Sequence, residues 1–283
     1  MTASIVADDI TFCYGDLTAV DHASFEVAQG EVLGFLGPNG AGKTTTVKIL
    51  TGQLKPKEGS AKVLGHDMVV DPKKAAAKIG VCFEEKNLYP RMTARGNLEF
   101  FGKLFGVNVD AEALLRKVDL AGKGEERVEN FSKGMKQRLM IARSILNEPD
   151  VLFLDEPTDG LDPVSSENIR RIIHQEQERG ASILLTTHDM MEADKLSDRV
   201  AFMNEGKIVA LDTPENLKLK YGKRSLKVRP KGRSEGEEVE IPLDDPGTPE
   251  KIRDILKEGE FDTIHTSEAT LEEIFIKITG RGL

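Results

Sequence analysis

The chain has 283 residues, enough for one large core or a core with a small appendage. Its 39 basic against 48 acidic residues leave a formal net charge of −9, which argues against broad, non-specific nucleic-acid binding. Trp is absent and aromatics make up 5% of the chain, so base-stacking platforms are not expected either.

The N-terminus, "MTASIVADD", has neither the basic start nor the apolar stretch of a signal peptide. Cys13 and Cys82 show no CxxC spacing, which points to a reduced compartment rather than a disulfide framework. Strands and helices alternate through the first ~220 residues, predicting an α/β fold with a mostly parallel sheet. "SFEVAQGEVLGFLG" reads as a strand, a turn at Gln29-Gly30 and a buried strand over 31–36. "TTTVKILTG" reads as a helix ending near Gly52, although three consecutive threonines are poor helix formers. "AKIGVCF" is a further apolar strand. Over about 84–147 the spacing turns helical, in "RGNLEFFGKLFG", "DAEALLRKVDL" and "GMKQRLMIARSIL". Leu139, Ala142, Ile145 and Leu146 form the buried stripe of the last, which Pro149 closes.

"VLFLDEP" and "SILLTTH" are short apolar runs with polar ends, the pattern of central parallel strands covered on both faces. "RVAFMNEGKIVALD" reads as a hairpin turning at Asn204-Glu205-Gly206. Beyond Tyr221-Gly222 the texture becomes charged and rich in Gly and Pro. Strands are expected there over 224–229, 237–243 and 262–266, with helices over 249–258 and 270–279. Residues 223–283 therefore read as a small α+β appendage to a domain spanning 1–222. No run reaches the ~18 apolar residues of a membrane span. A cytoplasmic location follows, and a role at a membrane needs a second chain to supply the span.

Gly37-Pro38-Asn39-Gly40-Ala41-Gly42-Lys43-Thr44 fits GxxxxGK[ST] completely and lies between a predicted strand and a predicted helix, the context this phosphate-binding pattern requires. Glycines let the backbone wrap phosphate oxygens with inward N–H groups, and the helix N-terminus adds partial positive charge. Lys43 is expected to reach the β- and γ-phosphates, Thr44 to ligate Mg²⁺ and Thr45 to touch the α-phosphate of a bound nucleotide. Asp155 and Glu156 end a buried strand at the sheet edge where such a nucleotide lies. Asp155 then holds Mg²⁺, and Glu156 acts on the water that attacks the γ-phosphate. His188 ends another strand at the same edge and is placed to hold the γ-phosphate, the water and Glu156 in register. Upstream, Tyr14 offers a face on which adenine could stack.

Together with "FSKGMKQR", these motifs resemble the ATP-binding cassette family of ATPases over nearly all of 1–222, in the family's own order. The resemblance implies a P-loop NTPase with a RecA-like core, an antiparallel β subdomain near the N-terminus and a helical subdomain over about 84–147. It implies head-to-tail pairing of two cassettes, with each ATP between one chain's phosphate loop and the other's signature turn. Carried over by position, Ser132, Lys133, Gly134 and Met135 form that signature turn, and Ser132 and Gly134 contact the partner's γ-phosphate. Gly160, Leu161 and Asp162 form the loop that crosses the interface. Each motif occurs once, so a second cassette, identical or homologous, must complete each site.

Three positions depart from the family pattern. The signature Leu-Ser-Gly-Gly-Gln reads Phe131-Ser132-Lys133-Gly134-Met135, so Lys133 either adds positive charge near phosphate or faces solvent. Glu84 stands where a Gln is usual, either meeting Mg²⁺ or serving at the contact with a membrane partner. Asp159 replaces the Ser of the interface loop and reads as a surface variation. The tail "TLEEIFIKITGR" and the turn "FSKGMKQR" resemble bacterial and archaeal exporter cassettes whose membrane subunits are separate chains. The implied protein is an exporter ATPase at the cytoplasmic membrane face. Its permease would dock between core and helical subdomain, near Glu84 and "NLYPRMTARGNL". A soluble cassette ATPase, as in cluster assembly, and an importer ATPase stay open as alternatives.

Overall fold

The structure, a computed structural model, describes residues 3–85, 87–222, 225–232, 238–243, 245 and 247–280. Two long strands, β1 (Ala3–Tyr14) and β2 (Leu17–Ala28), pair antiparallel through a turn at Gly15. After β3 (Val32–Leu36) the chain forms the phosphate loop and α1 (Lys43–Leu50). It returns through β4 (Glu58–Val63) and β5 (His66–Asp67) to the first sheet, whose order is β2-β1-β4-β5. A short α2 (Pro72–Ala76) leads to β6 (Ile79–Cys82).

Three helices follow: α3 (Ala94–Phe105), α4 (Ala111–Lys117) and α5 (Lys133–Ser144). Each starts on a polar side chain that accepts a hydrogen bond from an N–H of the first turn: Thr93 from Gly96, Asp110 from Ala113, and Ser132 from Met135. Each pair of these helices packs together. α5 ends before Pro149, and Glu148 adopts a left-handed φ of +47°.

The rest of the large unit is β7 (Val151–Asp155), α6 (Pro163–Glu178), β8 (Ser182–Thr187), α7 (Met190–Leu196), β9 (Arg199–Asn204) and β10 (Lys207–Asp212). Its six-stranded sheet runs β10-β9-β3-β8-β7-β6, with the neighbours from β9 to β6 parallel. β3, β7 and β8 are buried at every position. Alternating side chains explain this. Val151, Phe153 and Leu184 join the apolar cluster shared with α1 and the first sheet. Leu152, Leu154, Ile183 and Leu185 join the one shared with α5 and α6. Each such side chain contributes about 1.5–3 kcal/mol on burial.

Contacts divide the chain into Met1–Leu211 and Asp212–Leu283. The division falls ahead of the compositional change at 222/223 because α8 (Pro214–Tyr221) packs against the last helix, α10 (Leu271–Thr279). The small unit also holds β11 (Ser225–Pro230), β12 (Val239–Pro242), α9 (Thr248–Glu258) and β13 (Phe261–Ser267). Its sheet is antiparallel in the order β12-β11-β13. Leu226, Val228 and Ile241 pack against Ile252 and Ile255 of α9. Residues 224 and 237 of the expected strands lie outside the described residues. Among the described residues, no helix is long and apolar enough to cross a membrane.

Candidate active site

The loop between β3 and α1 is shaped by backbone that only glycine adopts without strain. Gly40 and Gly42 have φ of +82° and +104°, and a Cβ on Gly42 would stand 2.3 Å from the Ala19 carbonyl oxygen. Gly42 caps α1 without a side chain and the first turn carries no acid, so the helix N–H groups face the loop. Two of the threonines that disfavour a helix have hydroxyl partners, one local and one across the fold. Thr46 is fully buried and donates to the Gly42 carbonyl, 3.0 Å away, while Thr44 Oγ1 donates to Asp155 Oδ1 at 3.2 Å.

Lys43 is buried and folds across the loop. Its Nζ donates to the Gly37 carbonyl at 2.6 Å and lies 3.3 Å from Glu156 Oε1. The Glu156 side chain is 9% exposed, and its φ of +50° lies in the left-handed region. Its N–H donates to Thr186 Oγ1, and its Oε2 lies 3.0 Å from His188 Nδ1. Asp155 Oδ1 accepts from Thr44 and Thr186 hydroxyls, whereas the buried Oδ2 has no hydrogen-bond partner. The start of α1 and the ends of β7 and β8 thus bring Lys43, Thr44, Asp155, Glu156 and His188 to one sheet edge. A cleft of about 230 Å³ there is lined by Tyr14, residues 38–45, Glu84 and Glu156. Tyr14 is 47% exposed with Phe12 edge-on behind it, and Glu84 is exposed.

Ser132, Lys133, Gly134 and Met135 do not line this cleft. They sit beside the loop over residues 159–162 of the same chain. Gly134 lies so near Ser165 that a Cβ would meet its Oγ at 3.0 Å. Ser165 in turn donates to Asp162, the N-cap of α6, and these bonds hold the Asp162 carboxyl below its ordinary range. Lys133 Nζ lies 3.4 Å from Asp159 Oδ2, so this lysine is directed at the loop over residues 159–162.

Residues 20–159 match the family model described as ABC transporter. A fluoroquinolones export ATP-binding protein of Mycobacterium tuberculosis is 43% identical over 267 residues, 94% of this chain and 89% of that protein. The chain belongs to the ATP-binding cassette family. The bacitracin transport ATP-binding protein BcrA of Bacillus licheniformis is 34% identical, covering 100% of this cassette and 99% of that protein. A solved ATP binding subunit of an ABC transporter superposes with a TM-score of 0.71 at 28% identity, over 78% of this chain and 93% of that one. The cassette binds and hydrolyses ATP as the nucleotide-binding subunit of an ABC transporter.

The cassette's donor set fits a hard divalent cation. Asp155 Oδ2 is a buried, unpartnered carboxylate oxygen beside the Thr44 hydroxyl. Thr186, which anchors both acids, was not expected from the sequence; the only signal was a hydroxyl two positions before the strand-end His.

Burial raises the Asp155 carboxyl above its ordinary range, against hydrogen bonds from Thr186 and Thr44 that lower it. Between the ordinary and raised values the folded cassette binds a proton that the unfolded chain has released. Stability therefore falls as pH rises through that interval. Asp155→Asn keeps an acceptor for both hydroxyls and removes the ionisation. It is expected to raise the melting temperature of the nucleotide-free protein at neutral pH, with the gain shrinking as pH falls towards the ordinary carboxylate range. Thermal melts across pH check this, and a lower neutral-pH melting temperature would contradict it.

Proposed function

We propose that this cassette is the ATPase of an exporter, pairing with a second cassette and driving a separate membrane subunit. The observation that carries the catalytic part is the convergence of Lys43, Asp155, Glu156 and His188 at the edge that also presents the glycine loop. Residues Gly37–Thr45 would cradle the phosphates, and Tyr14 would face the adenine. Thr44 and Asp155 would hold Mg²⁺, with Glu84 near enough to the cleft to assist. The ion supplies charge that offsets the β- and γ-phosphates.

Lys43 and Glu156 neutralise one another at 3.3 Å in a nearly buried pair. A γ-phosphate that draws Lys43 away leaves Glu156 free to take a proton from the attacking water. His188, bonded to the other Glu156 oxygen, keeps that carboxylate aimed. Ser132, Gly134 and the start of α5 would complete the site of a partner chain, while Gly160, Leu161 and Asp162 cross between chains. ATP then ties two chains together, and phosphate release unties them. A related cassette has been solved as a dimer in a post-hydrolysis state, at 24% identity and a TM-score of 0.68.

Export is favoured over import or a transporter-free role by relatives whose names assign them to fluoroquinolones export and to daunorubicin resistance. The cassette would work peripherally at the cytoplasmic membrane face. The permease would enter a groove of about 480 Å³ between core and helical subdomain, where Phe83, Tyr89, Phe101 and Phe105 surround Arg143. Inside-out vesicles carrying the transporter are expected to take up a fluoroquinolone when given ATP, and Lys43→Ala to abolish uptake. Tyr89→Ala with Phe101→Ala is expected to lower uptake at least tenfold while the isolated cassette keeps its hydrolysis. Uptake indifferent to Lys43 would sink the export reading, and uptake indifferent to the aromatic pair would sink the docking site.

A further inference from the structure

Two departures from the family pattern that stand 26 residues apart in the sequence meet in the structure. Lys133 replaces the first glycine of the signature turn and Asp159 the serine of the interface loop. Lys133 Nζ lies 3.4 Å from Asp159 Oδ2, and it covers Gly160 so closely that a Cβ there would stand 2.0 Å from Nζ. On its other side, Asp159 Oδ1 is 3.9 Å from His188 Nε2. His188 Nδ1 is bonded to Glu156, and Glu156 reaches Lys43. Charged and polar groups thus run without a break from the signature turn to the phosphate loop of one chain.

Lys133 and Asp159 are 53% and 41% exposed, and an ion pair so wet adds little to stability. Its position is what matters. One end belongs to the turn that serves another chain's nucleotide, and the other end touches the histidine that holds this chain's own Glu156.

We infer that Lys133 and Asp159 form a partner-exchange pair linking the two nucleotide sites. In the single chain Asp159 holds Lys133. When the signature turn closes on a nucleotide bound by a second cassette, the γ-phosphate, with more negative charge than a carboxylate, draws the flexible lysine to itself. Asp159 is left to His188 and steadies the imidazole from the side opposite Glu156. Asp159 is therefore a positioning residue, acting through His188, and occupancy of one site is felt at the other. The inference rests on the two-chain site proposed above.

The test is steady-state ATP hydrolysis by the full-length protein against ATP concentration. Lys133→Met and Asp159→Ser are each expected to lower kcat about fivefold or more and to bring the Hill coefficient towards one. The double variant should be no worse than the poorer single one, and Lys133→Arg should retain the cooperativity. Swapping the charges, Lys133→Asp with Asp159→Lys, rebuilds the pair but puts an anion at the partner's phosphate, so it should stay defective. Melting temperatures should hardly move. Additive losses, a swap that restores wild-type kinetics or no change in any variant would overturn the inference. Lys43→Ala separates the levels: hydrolysis that survives it removes the underlying site, whereas its loss beside additive Lys133 and Asp159 effects sinks only the exchange.

Discussion

Glu156→Gln abolishes steady-state hydrolysis, by about 10²–10⁴-fold, the range a general base contributes, and leaves ATP binding in place. The substitution changes no volume. An amide can still meet His188, and Lys43 keeps its bond to the Gly37 carbonyl. The carboxylate that takes the water's proton is gone. Removing that charge also frees Lys43 from its 3.3 Å counter-ion, which favours its move to phosphate. Binding therefore holds or tightens while cleavage stops, and the ATP-bound pair of chains accumulates. Size-exclusion chromatography with Mg²⁺ and ATP is expected to show a dimer for Glu156→Gln where the wild type returns to smaller species. A variant that turns over ATP at the wild-type rate would show that Glu156 is not the base.

Much of this site is legible in the sequence because its chemistry is local. The glycine spacing, Lys43 and Thr44 lie within one turn between a strand and a helix, and the acids and His188 stand at the ends of apolar runs whose burial fixes which edge they reach. The parallel sheet follows from the same runs. Other features depend on pairings that periodicity does not encode. Thr186 reaches Asp155 across 31 residues, and Lys133 reaches Asp159 across 26. Asp159 looks like a surface variation until the fold sets the signature turn beside it. Likewise the change of texture after Tyr221-Gly222 does not disclose that α8 packs against α10, some fifty residues further on. Two of the three threonines of α1 have a role that helix propensity does not foresee: the Thr44 hydroxyl bonds Asp155 and the Thr46 hydroxyl the Gly42 carbonyl.

The second large effect concerns the division of labour between chains. Lys43→Ala removes the cation proposed to meet the β- and γ-phosphates and leaves the largely buried Glu156 carboxylate without its counter-charge. Ser132→Arg places a bulky side chain where Ser132 now caps α5 through Met135, at the turn proposed to meet another chain's phosphate. Each variant alone is expected to lose at least about 100-fold in hydrolysis, the scale of losing one preorganised donor at a developing charge. Each should still fold, because the Ser132 turn is exposed and the Lys43 loop is held by its glycines and Thr46. The phosphate-loop cleft contains none of residues 132–135, so the two lesions strike different sites. The decisive measurement mixes the two inactive proteins and follows phosphate release across mixing ratios. A site shared between chains predicts activity that returns on mixing and peaks near equal amounts, because each mixed dimer keeps one intact pairing of phosphate loop and signature turn. A mixture as inactive as its components, or a Ser132→Arg chain that hydrolyses ATP normally by itself, would contradict it.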